Sequence, residues 1–295
     1  MIEYNPKDWF GFLFRFHKAD TVRKLLPILL SIALYAFLVV FVFHTLLKVG
    51  EKDPHWGELS LIYSTLGFVI SLLFVFRTNT AYDRWWEGRR QWGTLVNISR
   101  SLSQKLVSAG VSEDDRRDFS ALVGNFAFAL KNHLRSIYRP DELEESDLLP
   151  IKDLNPSAHV PNQVAAAIHI RINQLYAEGR LTEMHFLSMQ TELNGLYDVL
   201  GACERIRKTP IPFSYSSFLK KFIFFYIMPF PFVFLKPMGY FLIPAIIFVF
   251  YVLASLELIA EEIEDPFGTD ANDLPTDSIS ANIRKSVHEI FNSFR

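Results

Sequence analysis

The feature that most constrains this chain is an uncharged apolar run that passes directly into a charged one. No charged residue occurs between positions 59 and 76, and about 18 apolar residues is the length at which a helix becomes able to cross a membrane. Arg77, Asp83 and Arg84 open the charged part. Because charges are costly in hydrocarbon and not in water, the pattern predicts one helix that leaves the bilayer intact.

Three large side chains of the apolar part fall on one helical stripe. Phe68, Leu72 and Phe76 lie at positions i, i+4 and i+8. The stripe is compatible with a face that contacts lipid or neighbouring helices. It is also compatible with a ring of apolar side chains, one set per subunit, that lines a narrow pore and gates it by excluding water. Periodicity leaves both alternatives open.

Three sequence signatures occur in a fixed order along the chain. They are FRTNTAYDRWWEGRRQWG at residues 76–93, TPIPFSY at residues 209–215 and EDPFG at residues 264–268. The first resembles the FRxNxAYDRWWExRxxWG pattern of bacterial bestrophins, and the other two match the same family in the same order. The resemblance implies an all-α membrane protein with four transmembrane helices and a helical cytoplasmic body, assembled as a homopentamer around a central pore. It assigns the pore neck to Phe68, Leu72 and Phe76.

The resemblance implies two further sites. A second constriction, in the cytoplasmic body, falls at Met184 when counted back from the second signature, whereas counting forward from residues 179–180 favours His185; Met184 is the preferred match. In animal bestrophins the segment after the PFG motif helps to bind calcium, and Asp270 and Asp273 match two of its carboxylates. Calcium takes six or more oxygen ligands, so we expect at most a weak Ca²⁺ site and no required cofactor.

Composition agrees with a membrane protein that has a sizeable soluble part, since 50% of the 295 residues are hydrophobic and 28 are Phe. The predicted organisation is a cytoplasmic N-terminal segment (1–24), a first span (25–47), a second span that forms the neck (59–80), a cytoplasmic helical region (81–218), a third span (219–235), a fourth span (238–257) and a cytoplasmic C-terminal segment (258–295).

Lysine and arginine decide the predicted orientation. Lys24, Arg84, Lys220 and Lys221 flank one set of span ends, and the connections at the opposite ends carry few basic residues. Because basic residues concentrate on the cytoplasmic side, both termini and the soluble body are predicted to be cytoplasmic. The expected location is a bacterial inner membrane, crossed several times.

Two classes of function are disfavoured by the sequence. The formal charge of −2 argues against a nucleic-acid partner. The chain contains no zinc-protease, phosphate-binding or nucleophile motif, and its histidines do not fall at metal-ligand spacing, so an enzyme is not expected. The single cysteine, Cys203, is interpreted as a small buried residue.

The resulting prediction is a pentameric channel in membrane lipid for small monovalent ions, with chloride-type anions slightly preferred over sodium-type cations. Two alternatives stay open. One is a membrane-anchored helical scaffold or signalling protein without ion flux. The other is a secondary transporter, which the lack of an inverted repeat of broken helices disfavours.

Overall fold

The computed structural model describes residues 21–47 and 56–293. Their regular secondary structure is helical, without a β-strand, which confirms the predicted all-α class. The predicted N-terminal segment as far as residue 20 and the connection at residues 48–55 lie outside the described residues. The helices are α1 (Thr21–Val40), continued by a π-helical turn (Phe41–Leu46), α2 (Trp56–Ser108), α3 (Glu113–Leu134), α4 (Val160–Ala177), α5 (Glu183–Lys208), α6 (Phe213–Ile227), α7 (Phe230–Met238), α8 (Leu242–Glu264) and α9 (Thr276–Asn292).

The chain divides into two compact units. The first unit contains the described residues up to Arg84, together with Pro210–Glu264 and Asp270–Asn272. The second unit contains Trp85–Thr209, Asp265–Thr269 and the described residues from Asp273 onward. Helix α2 contributes its apolar part to the first unit and its polar part to the second. The predicted change from apolar to charged sequence therefore occurs within one unbroken helix.

Three stretches of the described residues are helical, long and apolar enough to cross a membrane, namely Thr21–Leu46, Ser60–Ser108 and Phe213–Glu264. The sequence predicts that the last stretch forms two spans, separated at Lys236 and Pro237. In the structure Pro237 lies inside α7, and the chain turns instead at Gly239, whose φ of 50° is a conformation that favours glycine. The count of four spans stays a prediction.

Two tyrosines satisfy the backbone where α6 gives way to α7. Pro229 has no N–H and helix α6 ends at Ile227, so carbonyl groups at this break need other partners. The Tyr63 hydroxyl donates to the Tyr226 carbonyl at 2.6 Å, and the Tyr35 hydroxyl donates to the Met228 carbonyl at 2.5 Å. Unpaired carbonyls cost several kcal/mol in an apolar environment, so these hydroxyls let the first unit tolerate its proline-rich break.

The core of the first unit lies mainly between α1 and α8. Helix α1 packs along α8, and α6 and α7 add further contacts to α8. From α2, Tyr63, Ile70 and Phe74 join this core. Their spacing of four and seven residues places them on one face of α2, so the opposite face of its apolar part is left outside the core.

Helix α3 is the centre of the second unit. It is buried on nearly all sides because α4, α5 and α9 pack around it. Its start is fixed by Ser112, whose hydroxyl accepts a hydrogen bond from the Asp115 backbone N–H, and by three acidic residues in its first turn. The largest side chains of this core include Trp92 of α2 and Phe119 and Phe126 of α3.

A glycine on α2 allows a close contact in the second unit. A Cβ placed on Gly88 would lie 3.1 Å from two ring atoms of Phe267 and 3.2 Å from Pro266. The Phe267 ring is only 1% exposed and therefore has little room to move. Gly88 is favoured at this position because Pro266 and Phe267 of the third signature pack directly on it.

We predict that Gly88→Ala destabilises the protein by about 1–3 kcal/mol, because the new methyl group overpacks a rigid contact. Gly201→Ala is the matched control, since Gly201 is also helical but has nothing within 4 Å of its Cβ position. Alanine there should stabilise the helix by up to about 1 kcal/mol. Thermal unfolding of the purified variants measures both, and equal midpoints for the two would contradict the packing role of Gly88.

Candidate functional site

The apolar part of α2 has one buried face and one exposed face. Phe68, Leu72 and Phe76 are exposed to 69%, 45% and 56%, whereas Ile70 and Phe74 on the other face are buried. The three residues predicted to form the neck therefore share a surface that nothing in the described part of the subunit covers. We call Phe68, Leu72 and Phe76 the apolar stripe.

The hydroxyl groups on this part of α2 are used within the helix itself. Ser64, Thr65, Ser71 and Thr80 each donate to the carbonyl four residues earlier, over distances of 2.8–3.1 Å. Such back-bonding is the usual way in which a serine or threonine is satisfied inside an apolar helix. Their O–H groups are therefore directed at the helix backbone, and the apolar stripe remains a surface without strong donors.

Arg77 follows the apolar stripe immediately and is buried to 1% exposure. Its guanidinium lies 2.8 Å from a carboxylate oxygen of Glu264 and 3.5 Å from one of Glu257, which is itself 4% exposed. A buried guanidinium is tolerated only when it is paired, and two carboxylates from α8 provide the pairing. The charge that ends the apolar run thus points into the first unit.

Glu264 joins the three sequence signatures. Its carboxylate pairs with Arg77 of the first signature and accepts a hydrogen bond from the backbone N–H of Ile211, in the second signature, at 2.7 Å. Its own carbonyl accepts from Arg84 Nε at 3.1 Å. Tyr215 of the second signature also donates to the carbonyl of Leu73 at 3.2 Å. The signatures are far apart in sequence and are brought together on one acidic residue.

The other acidic residues at this end of α8 are also paired. Glu261 lies 3.0 Å from Lys220 of α6. Glu262 pairs with Lys24 of α1 and accepts a hydrogen bond from the Asn272 side chain at 2.6 Å. These two carboxylates are thus linked to two different helices, and pairings between such distant residues leave no signal in local spacing.

Met184 lies in the first turn of α5 and is exposed to 76%. Thr182 caps this helix by accepting a hydrogen bond from the His185 backbone N–H. Glu192, two turns further along α5, contacts Lys105 of α2 at 2.6 Å and Ser101 at 2.8 Å. These contacts between α5 and α2 hold the helix start that presents Met184.

The two predicted calcium ligands lie in different units and different settings. Asp270 belongs to the first unit and is exposed, whereas Asp273 belongs to the second and is 2% exposed. A Cβ on Gly268 would lie 2.7 Å from an oxygen of the Asp273 carboxylate, so glycine is required beside it. Three candidate metal ligands come together elsewhere among the described residues, and neither aspartate is one of them.

That cluster consists of His133, His159 and Glu204, all in the second unit. Sequence spacing gave no indication of it, because the residues come from α3, the start of α4 and α5. Burial disfavours ionisation of Glu204, but hydrogen bonds from His159 and His133 outweigh this and lower its pKa to about 2. Burial also lowers the pKa of His133, and the bond to Glu204 offsets this in part.

Cys203 is buried, as predicted, and its burial raises the thiol pKa to about 12. A thiol in that state is not a nucleophile at physiological pH. The single cysteine of the chain is therefore unsuited to covalent catalysis.

The family model described as Bacterial/Fungal Bestrophin protein matches residues 1–289. The chain belongs to the bestrophin family. A voltage-dependent anion channel-forming protein of Nostoc sp. is 35% identical over 294 residues, covering 96% of this chain and 92% of the relative. The voltage-dependent anion channel-forming protein YneE of Escherichia coli K12 is 31% identical, covering 95% of this chain and 90% of the relative.

Solved structures of the family agree with the fold. A point mutant of a bacterial bestrophin homolog from Klebsiella pneumoniae has a TM-score of 0.81 at 26% identity, covering 91% of this chain and 99% of that one. A second point mutant of the same homolog gives a TM-score of 0.81 at 27% identity, with the same coverage. The predicted resemblance is confirmed, and the protein is a membrane protein of a channel family.

We predict that Arg77→Met destabilises the protein strongly, by about 3–5 kcal/mol, because it leaves the buried Glu257 and the partly buried Glu264 without their cation. Lys220→Gln removes an exposed ion pair at the same end of α8 and should cost less than about 1 kcal/mol. Thermal midpoints of the two purified variants provide the comparison. Similar midpoints would show that the buried pairing contributes no more than an exposed one.

Proposed function

We propose that this protein is an ion channel and that its ion path runs along the apolar stripe of α2. The observation that carries the proposal is the exposure of Phe68, Leu72 and Phe76 on one face of a helix whose other face is buried. The predicted neck residues are the same three. Large apolar side chains that share an exposed stripe beside a buried charge network are suited to line a narrow passage.

A single stripe cannot enclose a passage, so the proposal requires several copies around one axis. Symmetric closed rings are the usual form of such assemblies. The family resemblance favours five subunits, with one α2 from each. The neck would then consist of three stacked rings, formed by Phe68, Leu72 and Phe76 in turn.

The proposed neck controls ions by controlling water. A ring of apolar side chains offers no ligands that replace an ion's hydration shell, so a tight ring excludes water and blocks the passage. A slightly wider ring admits partly hydrated ions. Phenyl rings that turn their positive edges inward would favour anions, because the quadrupole of an aromatic ring is positive at its edge.

We propose small monovalent anions of the chloride type as the preferred ions, ahead of sodium-type cations. The names of the relatives support this, since the Nostoc and E. coli proteins are both called anion channel-forming. The alternative to a channel is a membrane-anchored helical scaffold or signalling protein without ion flux.

Met184 is proposed as a second constriction. Its high exposure at the start of α5 suits a side chain that points into a shared aperture. An unbranched thioether adapts its shape easily, so such a ring would narrow the path without fixing its width.

The proposed location is a bacterial inner membrane, crossed several times by each chain, with the second unit and both termini in the cytoplasm. Lys24 and Lys220, which pair with the acidic end of α8, together with Arg84, support this orientation because basic residues concentrate on the cytoplasmic side.

For Asp270 and Asp273 we propose no more than a weak interaction with calcium. Two carboxylates supply a minority of the six to eight oxygens that calcium takes, so backbone carbonyls and water would have to provide the rest. No step of the proposed conduction depends on it.

For purified protein in planar bilayers across a salt gradient, we expect a reversal potential close to the anion limit. Phe76→Ala should increase the current severalfold because it widens the neck. Phe224→Ala is the matched control, since Phe224 is exposed to 55% against 56% for Phe76 but lies on α6. Its current should equal that of the parent.

Three outcomes would contradict the proposal at different levels. A potential near the cation limit would overturn the ion preference alone. Equal currents from Phe76→Ala and the parent would overturn the neck assignment. An absence of current from both, with the protein folded and oligomeric, would favour the scaffold alternative.

The second constriction is tested separately. Met184→Ala should change single-channel conductance, whereas His185→Ala, one residue further along the same helical turn, should not. The opposite pattern would move the aperture to His185, as the alternative count along the sequence suggests. A lack of effect from either would remove the aperture from this turn.

A further inference from the structure

His133, His159 and Glu204 bring three metal-ligating atoms to one point in the second unit. Nε2 of His133 lies 2.6 Å from Oε1 of Glu204, and Nε2 of His159 lies 2.9 Å from the same oxygen. The two imidazole rings are 4.2 Å apart between centroids. The three ligand atoms all lie within 4.8 Å of one another. Both histidines thus present the same nitrogen to one carboxylate.

We propose that His133, His159 and Glu204 form a binding site for a zinc-type divalent transition-metal ion. Two imidazoles and one carboxylate are a ligand set that zinc accepts, with a fourth position left to water. This site is independent of the proposed conduction path and of the aspartates discussed for calcium.

The two distances to the Glu204 oxygen require only a small adjustment. In a tetrahedral site with metal–ligand distances of about 2.0–2.1 Å, the ligand atoms lie roughly 3.3 Å apart. Each histidine nitrogen would therefore have to move by roughly half an ångström from the Glu204 oxygen. The side chains remain 26%, 30% and 21% exposed for His133, His159 and Glu204, so an ion and a water molecule can reach them.

A cavity of about 280 Å³ lies beside one of the three proposed ligands. His133 lines it, together with Tyr138 and Arg207. The ligands are attached to the end of α3, the first residue before α4 and the last turns of α5. A bound ion would therefore connect three helices of the second unit near their ends.

Two neighbouring interactions oppose the ion and limit its affinity. The backbone N–H of Asn162 donates to Nδ1 of His159 at 3.3 Å, which places the proton of the neutral ring on Nε2. Metal binding at Nε2 moves that proton to Nδ1 and gives up this long hydrogen bond. Lys208 lies 3.5 Å from the second oxygen of Glu204 and competes for it.

Calorimetric titration of the full-length, metal-stripped protein with Zn²⁺ tests the site, and Co²⁺ provides a second probe through its visible absorption when four-coordinate. We expect one ion per subunit, an affinity weakened roughly tenfold or more in His133→Gln and Glu204→Gln, and no change in the control His169→Gln. Zn²⁺ should also raise the thermal midpoint of the parent and of the control, and not that of the two ligand variants.

The variants are compared only after far-ultraviolet circular dichroism and gel filtration show that they fold like the parent. Glu204→Gln preserves the size of the side chain and serves if His133→Gln does not fold. No saturable binding to the parent, or equal binding by the parent and a folded ligand variant, would overturn the proposal. Neither result bears on the currents that test the ion channel.

Discussion

The burial of Arg77 between Glu257 and Glu264 is the constraint on which the first unit depends. A guanidinium at the end of an apolar helix must either reach water or find carboxylates, and here it is 1% exposed and finds two on α8. Breaking such a pairing costs several kcal/mol, because the remaining charges stay buried. The direction of Arg77 in turn leaves its neighbour Phe76 on the outer face of α2. The apolar stripe and the charge network are therefore two consequences of one helix register.

The three sequence signatures acquire a shared physical meaning from these contacts. Arg77, Ile211 and Glu264 come from one signature each and meet through an ion pair and a backbone hydrogen bond. A second meeting point lies in the second unit, where Gly88 admits the Phe267 ring. Short motifs that are distant in sequence can thus encode close-packed contacts within each unit. A substitution on one side of such a contact should disturb the packing or pairing of the residue on the other side.

Sequence alone predicted the class of the fold and much of the surface of α2. The length of the uncharged run and its abrupt end at Arg77 were enough to predict one helix that passes from apolar to charged sequence. The i, i+4, i+8 spacing placed Phe68, Leu72 and Phe76 on one face of that helix. The turn at Gly239 was missed because Pro237 is the stronger local signal for a break, although a proline is tolerated within α7. The cluster of His133, His159 and Glu204 was also missed. It depends on how α3, α4 and α5 pack, and no spacing along the chain reports that.

The pairing of the acidic end of α8 has a consequence for the electric field around this part of the first unit. Glu257, Glu261, Glu262 and Glu264 would together make a strongly negative surface, but Arg77, Lys220 and Lys24 contact them and Arg84 donates to the Glu264 backbone. Four positive side chains thus stand beside four negative ones. A balanced group of this kind produces little potential beyond about one Debye length, which is ~8 Å in physiological salt. Ions of either sign would approach this part of the protein without being concentrated or repelled, and in the proposed channel selection would therefore fall to the apolar stripe.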